Sequence, residues 1–390
     1  MEPRSRVDRE GNPPCLRDSV ARWGLDVFSL HIDSERGWRG GQSLVLHTVL
    51  GLRALGHRAA LVAHPDGELR RRMSEGHDII PLAPRGEVDL TAAWRLSRVL
   101  KQLAPDVIHT YDAHAVAMAS TALSIAAPSP KPLLVTSVRT AAHLAHSSFA
   151  RWKYSQIDCF IANSAFVHDR LITDGVPKAK TTTVNQGVDV ERIVQMEASH
   201  VHAAFYLPTH SPVVGNVATL TPNKGHHHLI DAAQVVVRAV PDARFVIVGD
   251  GELREGLEKH VRDRHLERHV FLAGFRADAV ELIKSFDLFA LSPIAGGLCT
   301  ALIEAMAASR VAVATSVGAI PEIVVDEETG FLTPTRDHAA MAAKLILLLK
   351  DQALRDKMGA AALARARERF AVERMVEETA AVYERLAANS

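Results

Sequence analysis

The sequence predicts an α/β fold made of two doubly wound, Rossmann-like domains that face a cleft. Three observations lead to this prediction. The chain has 390 residues, which is too long for one ordinary core and suits two domains. Short apolar runs alternate with helical stretches, which is the pattern of βαβ units and a parallel sheet. This alternation weakens near the middle of the chain and then restarts, so it forms two series.

The first series begins after a polar N-terminal stretch. Its predicted strands are 25–31, 58–63, 106–109, 133–137 and 158–162. A helix is predicted over 43–55, because apolar residues recur on one face and Gly56 is placed to end it. Thr91 and Ser164 are placed to cap the helices that follow them.

The second series begins after a stretch without strand-like runs, between Gly187 and Ser211. Its predicted strands are 213–217, 245–248, 270–273, 287–291 and 311–314. Helices are expected after Lys224 and after Gly251. The last segment, 372–386, is amphipathic and is expected to pack back across the first domain.

These two series define the expected domain bounds. The expected parts are a mobile tail at 1–23, an N-terminal domain at 24–187, a linker at 188–211, a C-terminal domain at 212–370 and a C-terminal helix at 371–390. The tail is polar and contains prolines but has no apolar core, so it is not expected to be a secretory signal.

Charge and cysteine content limit the partners and the compartment. The formal net charge is zero and no long block of like charge occurs, which argues against nucleic acid as the main partner. Three scattered cysteines favour a reducing compartment, and no apolar run is long enough to span a bilayer. The expected location is the cytoplasm. Arg70, Arg71 and Arg72 could add a peripheral contact at the inner face of the membrane, although a solvated helix face explains them more simply.

Glycines and polar residues stand where predicted strands end, which is where ligands bind in parallel sheets. Gly40 and Gly41 open a helix, Lys224 stands at the start of another, and Gly249 and Gly251 follow a third strand. Glycines let an anion approach the backbone, and a helix start supplies free N–H groups. Each motif alone could be an ordinary turn, and Lys224 alone could be a surface residue.

The most informative motif is 292–307, a glycine-bearing loop that runs into a helix. Thr300 and Ala301 stand at the helix start, so their amides are expected to be free. Glu304 lies one turn inside the helix, and its carboxylate could hold two vicinal hydroxyls of the kind that a ribose presents. Charge complementarity with the helix N-terminus is the simpler role for this glutamate.

Taken together, these motifs resemble the retaining GT-B glycosyltransferases of family four, also called glycosyl transferases group 1. The resemblance runs from about Leu25 to the C-terminus and is strongest over 213–335. The motifs that carry it, in the family's order and spacing, are Asn223-Lys224-Gly225, VGDGEL at 248–253, Gly274-Phe275, ALIEAMA at 301–307 and GAIPE at 318–322. Each motif is weak alone, but the set is specific.

The resemblance implies transfer of a sugar from a nucleoside diphosphate sugar to a glycan or lipid-linked acceptor, with retention of anomeric configuration. The setting it implies is the synthesis of cell-surface polysaccharide, lipopolysaccharide or glycolipid. The domain at 212–370 would bind the nucleotide sugar, and the domain at 24–187 would lie on the acceptor side. Lys224 would bind the diphosphate, Glu304 the ribose, and Gly40 and Gly41 would lie beneath the phosphates. The other donor-binding residues implied are Gly249, Gly251, Phe275, Thr300 and Ala301. The family generally needs no metal, and this sequence has no Asp-x-Asp signature. No cofactor is expected.

The sequence departs from the family pattern at four positions. Thr219 stands where an arginine is common, Gly296 where the first glutamate of a pair is usual, Cys299 where a glycine is expected, and Tyr111 where a histidine is common. Tyr111 could still hydrogen-bond a sugar. Arg139, at another strand end, could reach the cleft or form a surface salt bridge. These two residues are the catalytic candidates.

Two other classes of function compete with the glycosyltransferase hypothesis. A protein of the same shape with weak or no catalysis, serving as a binding or scaffold partner, is favoured by Gly296, Cys299 and Tyr111. A nicotinamide-dependent oxidoreductase is disfavoured, because no Gly-x-Gly-x-x-Gly opens a βαβ unit.

The histidine-rich segments do not predict a metal site. His109, Asp112 and His114 would fall on different faces after a strand, and the three consecutive histidines at 226–228 cannot converge on a helix. No metal is therefore expected.

Overall fold

The computed structural model describes residues 27–73, 78–139 and 147–388. The predicted tail at 1–23, with Cys15, lies outside the described residues. The chain divides into two compact units. The first holds the described residues up to Trp38, Val45–Val135 and the described residues from Val376 onward, and the second holds Arg39–Leu44 and Thr136–Met375. The domain bounds expected from the sequence stay a prediction.

The first sheet has seven parallel strands in the order β3-β2-β1-β4-β5-β6-β7. Its strands are β1 (Phe28–Asp33), β2 (Arg58–Ala63), β3 (Ile79–Pro81), β4 (Val107–Thr110), β5 (Leu133–Val138), β6 (Cys159–Ala162) and β7 (Thr181–Thr183). Every residue of β1, β4 and β6 is buried, as expected for strands of a parallel sheet that is covered on both faces.

The second sheet has six parallel strands in the order β10-β9-β8-β11-β12-β13. Its strands are β8 (Val213–Val217), β9 (Arg244–Val248), β10 (Val270–Gly274), β11 (Leu288–Leu291), β12 (Ala312–Thr315) and β13 (Gly330–Thr333). Along β9, Val246 and Val248 pack in one apolar cluster while Phe245 and Ile247 pack in another, so the two faces of the sheet carry separate cores.

In both sheets the order outward from the first strand is that of the Rossmann fold, in which the chain reverses direction across the sheet after its third strand. The prediction of two doubly wound, Rossmann-like α/β domains is therefore confirmed.

The helices connect the strands. They are α1 (Gly40–Ala54), α2 (Glu68–Arg72), α3 (Leu90–Leu103), α4 (Ala113–Ala126), α5 (Ser148–Ser155), α6 (Ala165–Thr173), α7 (Val190–Gln195), α8 (Val201–Ala204), α9 (His226–Ala239), α10 (Arg254–Asp263), α11 (Ala279–Ser285), α12 (Thr300–Ala307), α13 (Ile320–Ile323), α14 (His338–Lys350), α15 (Gln352–Arg369) and α16 (Val372–Ala388). No helix in the described ranges is both long and apolar enough to cross a lipid bilayer.

One helix cap was predicted correctly and another was not. Ser164 caps α6, since its Oγ accepts a hydrogen bond of 3.2 Å from the amide of Val167. Thr91 does not cap α3. That helix begins at Leu90, and the carboxylate of Asp89 accepts a bond of 2.9 Å from the amide of Ala92. Both residue types are good caps, and Asp89 stands one position before the first helical residue, where the cap must lie.

Most strand predictions agree with the structure to within one or two residues. The bounds of β2 and β8 are as predicted. The strands that the pattern missed are β3, β7 and β13, which have only three or four residues each. Runs this short carry too little periodicity to stand out from loops.

Candidate functional site

The start of α12 presents backbone donors that the protein does not use. Cys299 stands at the N-cap position and makes no capping hydrogen bond with its side chain. Among the described residues, no acceptor receives a hydrogen bond from the amides of Thr300 and Ala301. This agrees with the expectation from the sequence. A helix start with free amides attracts anions, because the unused N–H groups carry partial positive charge.

Glu304 lies one turn into α12 and is half-buried. Burial raises the pKa of its carboxyl to about 7. No hydrogen bond or salt bridge joins this carboxyl to any described part of the chain. A carboxyl that is partly withdrawn from solvent and has no partner is costly to a folded protein, and such groups concentrate at functional sites.

The glycine pair at the start of α1 lies against α12. A side chain at residue 40 would overlap the side chain of Thr300, so glycine is needed for this close approach. Gln186 ties the two helix starts together. Its Nε2 donates to Thr300 Oγ1 at 2.6 Å and to the carbonyl oxygen of Gly40 at 3.4 Å. The amides of Gly40 and Gly41 have no acceptor within the described chain.

Gln186 is a site residue that sequence reasoning missed. It follows β7, a three-residue strand that was not predicted, so nothing marked it as a strand-end residue. An amide side chain directly before Gly187 is the only signal that could have drawn attention to it.

Arg139 lies beside the same glycine pair. A side chain at residue 41 would overlap the Arg139 guanidinium, which shows how closely the cation approaches the backbone at the start of α1. The sequence proposed Gly41 and Arg139 for different roles, and the structure brings them together. A guanidinium next to free helix amides forms a positively charged environment.

Lys224 ends a short 3₁₀ turn, Pro222–Lys224, that precedes α9. In the described part of the chain its ammonium group takes part in no hydrogen bond or salt bridge. Burial, helped by the charge of Lys224, lowers the pKa of the neighbouring His226 to about 4, so that ring is neutral at pH 7. Lys224 therefore supplies the positive charge at this point.

A small cavity opens beside Lys224. The residues that line it are Lys224, Leu291, Pro293, Ala295, Gly296, Gly297, Cys299, Val317 and Ile320. Gly296 and Cys299, two of the positions where the sequence departs from the family pattern, are thus both at this cavity. No carboxylate belongs to the described lining, so Lys224 is its charged group.

Gly249 and Gly251 have a structural explanation. Both adopt positive φ angles, 142° and 159°, and a Cβ at either residue would collide with a backbone carbonyl, of Ala218 and of Leu220 respectively. The loop after β9 therefore packs directly on the backbone that follows β8. Phe275, after β10, is 65% exposed. The predicted donor contacts of these three residues stay predictions.

Tyr111 is buried inside a polar network of the first unit. Its hydroxyl lies 2.8 Å from His31 Nδ1 and 3.1 Å from His109 Nδ1. His109 Nδ1 also lies 2.5 Å from the hydroxyl of Tyr383 in α16. Burial, followed by the charge of Arg53, lowers the pKa of His31 to about 3. These bonds give Tyr111 a structural role, and its predicted catalytic role stays a prediction.

The histidines and acidic residues do not assemble a metal site in the described ranges, where no three or more His, Cys, Asp or Glu side chains converge on one point. His109 is held by the two tyrosines, and Asp112 caps α4 and binds Ser34. His226 is buried, while His227 is close to His260 on α10.

Two family models match the chain in succession. Residues 38–192 match the model described as Glycosyltransferase Family 4, and residues 201–365 match the one described as Glycosyl transferases group 1. Together the two matched ranges include every candidate site residue described above.

Curated relatives with similar sequences are named as glycosyltransferases. The chain is 28% identical over 167 residues to the poly(ribitol-phosphate) alpha-N-acetylglucosaminyltransferase of Staphylococcus aureus, a match that covers 43% of this chain and 34% of the relative. It is 29% identical over 239 residues to the putative glycosyltransferase EpsD of Bacillus subtilis, covering 60% and 62%. These matches span between a third and two thirds of the relatives' lengths.

Solved structures share the fold over nearly the whole chain. A glycosyltransferase from Rickettsia africae has a TM-score of 0.81 at 18% identity, covering 94% of this chain and all of that one. Anabaena Alr3699/HepE in complex with UDP-glucose has a TM-score of 0.79 at 22% identity, covering 92% and 100%. At this level of identity the likeness concerns the fold.

Proposed function

We propose that this chain is a glycosyltransferase that moves a sugar from a nucleoside diphosphate sugar to a glycan or lipid-linked acceptor, with retention of anomeric configuration. The two family-model matches and the names of the curated relatives support this class. Relatives named for capsular polysaccharide and amylovoran biosynthesis support a role in cell-surface polysaccharide, lipopolysaccharide or glycolipid synthesis. We place its action in the cytoplasm, in line with the expectation from cysteine use.

The observation that carries the proposal is the unpartnered carboxyl of Glu304 on a helix whose first amides are also free. Two vicinal ribose hydroxyls would donate to this carboxylate and satisfy it. The diphosphate would accept hydrogen bonds from the amides of Thr300 and Ala301 and pair with Lys224. The carboxylate of Glu304 and the free amides lie about one helical turn apart. One nucleotide, which carries both a ribose and a diphosphate, therefore fits them better than two separate ligands.

The proposed catalytic role of the chain is to stabilise the negative charge that develops on the departing diphosphate. In the transfer, the bond between the anomeric carbon and the β-phosphate oxygen breaks, a bond to the acceptor oxygen forms, and the proton of the acceptor hydroxyl passes to the departing diphosphate. Negative charge grows on the departing diphosphate, and preorganised donors aimed at that charge lower the barrier. Lys224, Arg139 and the amides at Gly40 and Gly41 are the groups proposed for this role. Because they supply positive charge themselves, activity is proposed to need no metal ion.

A thermal-shift screen tests the donor class. UDP, GDP, ADP and their sugars are added to the full chain, and the matching nucleotide raises the melting temperature because it binds the native state. NMR of the anomeric proton of the transferred sugar then reports retention or inversion, and assays with and without EDTA report the metal requirement. No shift with any nucleotide would overturn the proposal, and an inverted product would overturn its stereochemical part.

A second candidate is a binding or scaffold protein of the same fold with little catalysis. The observation that favours it is the cavity beside Lys224, whose described lining has Gly296 and Cys299 but no carboxylate. Saturable nucleotide-sugar binding, with no hydrolysis or transfer across an acceptor panel, is the result that would select this candidate.

Peripheral membrane contact is also proposed, through the start of α3. Val88, Leu90 and Trp94 are 70%, 65% and 51% exposed there, which is unusual for a cluster of large apolar side chains. Arg98 lies over the Trp94 ring at 5.2 Å, and Arg95 is exposed beside it. Apolar and aromatic groups flanked by arginines suit the interface of an anionic bilayer.

The arginine triplet that the sequence singled out is a weaker basis for such contact. Arg71 pairs with Glu68 at 2.6 Å, and Arg72 lies over the ring of Trp38 at 4.1 Å. Flotation with phosphatidylglycerol vesicles tests the α3 surface. Trp94→Ala should reduce the bound fraction, whereas Leu347→Ala, a change at another exposed apolar residue, should not. Equal flotation of both variants and the parent would remove α3 from the proposal.

A further inference from the structure

An open groove lies in the second unit and shares no described lining residue with the cavity beside Lys224. Its volume is about 640 Å³, within the range of small-molecule sites. Its floor includes Val201 and Leu207, which are buried in the apolar core of the unit. The floor is thus a fixed part of the fold, and a ligand would meet a preformed surface.

Tyr206 stands at this groove in a costly conformation. Its side chain is 97% exposed, and its φ angle is 52°. Left-handed backbone is unfavourable for a bulky residue, and glycine would adopt it at no steric cost. The left-handed turn itself ends α8, since the amide of Leu207 donates to the carbonyl of His202 at 2.8 Å, but glycine would make the same turn without strain. The turn therefore does not explain a large exposed ring at this position, and the ring points to function.

Apart from Ala203, the other lining residues are polar, and none carries a carboxylate, ammonium or guanidinium group. Ser199, His200 and Thr209 have side chains that make no hydrogen bond within the described chain, so their donors and acceptors are available. Ser285 Oγ donates to the carbonyl of Leu282 at 2.7 Å and retains lone pairs for a further donor. This lining suits a neutral ligand rich in hydroxyl groups.

From this combination, we infer that the groove is a second carbohydrate-binding site, for a neutral oligosaccharide whose apolar sugar face stacks on the Tyr206 ring. An aromatic ring offers a large apolar face at low entropic cost, and the surrounding hydroxyl and imidazole groups would bond the sugar hydroxyls. The inference rests on the proposed function only in choosing a glycan among neutral polar ligands. The groove would hold a distal part of the acceptor or product chain.

The test is saturation-transfer difference NMR on the full chain, with maltose, lactose and N,N′-diacetylchitobiose as separate probes. UDP is present in excess, so that a nucleotide site, if it exists, is filled. At least one disaccharide should show transfer to its ring protons, and Tyr206→Ala should reduce that signal roughly fivefold, given the usual strength of aromatic contacts. Tyr206→Phe keeps the ring and should retain the signal.

Tyr206→Gly guards against a trivial loss of fold. It removes the ring and also relieves the backbone, so this variant should bind the disaccharide as weakly as Tyr206→Ala while melting above the parent. No transfer to any probe, equal transfer in Tyr206→Ala, or displacement of the sugar by UDP would each overturn the inference. Tyr206-dependent self-association without sugar binding would do the same, since the groove would then serve a protein contact. Failure of UDP, GDP and ADP alike to bind would count against the proposed function alone.

Discussion

Two sets of buried or half-buried polar groups, one in each unit, differ in how they are satisfied. In the first unit, His31, Tyr111, His109 and Tyr383 bond to one another at 2.5–3.1 Å. In the second unit, the carboxyl of Glu304, the ammonium of Lys224 and the first amides of α12 have no partner among the described residues. The two sets therefore differ in whether their polar groups have hydrogen-bond or ionic partners within the protein.

This difference separates structural from functional polar groups. A closed network repays the cost of burial with its own hydrogen bonds, and it can then stabilise the fold. Polar groups without a partner destabilise the folded protein until a ligand forms hydrogen bonds or ion pairs with them. Substitutions in the first set should therefore change stability without changing ligand binding. Substitutions in the second set should change ligand binding, and removing an unsatisfied charge should even stabilise the protein.

The largest effect is expected for Lys224→Ala on affinity for the nucleotide sugar. A lost bond to a charged group costs about 1.5–3 kcal/mol, which is roughly 10- to 150-fold in Kd. Isothermal titration with the sugar nucleotide that scores highest in the thermal-shift screen measures it. Lys259→Ala is the matched control, because Lys259 is an exposed lysine paired with Asp263 at 2.6 Å. Equal affinities for both variants would remove Lys224 from the site.

The closed network is tested by Tyr111→Phe. This change keeps the ring but leaves His31 Nδ1 without its partner, so the free energy of unfolding should fall by about 2 kcal/mol. Urea titration measures the loss, and donor affinity should stay at the parent value. Tyr154→Phe is the control, since the Tyr154 hydroxyl makes no hydrogen bond in the described chain. A loss of donor affinity in Tyr111→Phe would support the role in the active site that the sequence predicts for Tyr111.

Glu304→Gln should have opposite effects on stability and binding. The folded-state pKa of about 7 is above the ordinary value of 4.5, so ionisation of Glu304 destabilises the native state as the pH rises from about 4.5 through 7. The variant should therefore be more stable than the parent at pH 8 and about equal to it at pH 4.5. Urea titrations at both pH values measure this. A variant less stable than the parent at pH 8 would mean that Glu304 has a protein partner.

The smallest effect concerns another satisfied group, the cap of α3. Asp89→Ala should lower the free energy of unfolding by about 1 kcal/mol, because the amide of Ala92 loses its acceptor. Thr91→Ala, two residues away and exposed, should change it by less than about 0.5 kcal/mol. A larger loss in Thr91→Ala than in Asp89→Ala would indicate that Thr91 is the cap, as predicted from the sequence.

The fold was predictable where local patterns suffice. The strands β2 and β8 are apolar runs bounded by polar residues, and their bounds agree with the structure. The cap of α3 was not predictable, because Asp89 and Thr91 both suit that role and lie two positions apart. Strands of three residues, such as β7, leave no periodic signal in the sequence.

The site was only partly predictable for a different reason. Lys224 and Glu304 are recognisable by their motifs and by their places at strand ends. The burial of Tyr111 depends on His31, 80 residues away, and the position of Gln186 matters because it meets Thr300, 114 residues away. A single sequence carries no information about such pairings between distant residues.

We propose that the unpartnered groups around Glu304 bind a nucleotide sugar. Proton release on binding tests this proposal most directly, by calorimetry at pH 7 in buffers of different ionisation enthalpy, for the parent and for Glu304→Gln. With a pKa of about 7, Glu304 is half protonated in the free protein. Hydrogen bonds from the ribose would favour the carboxylate and lower that pKa. The parent should then release about half a proton more than the variant. Equal proton release by the two proteins, with the nucleotide sugar bound in both, would contradict the account.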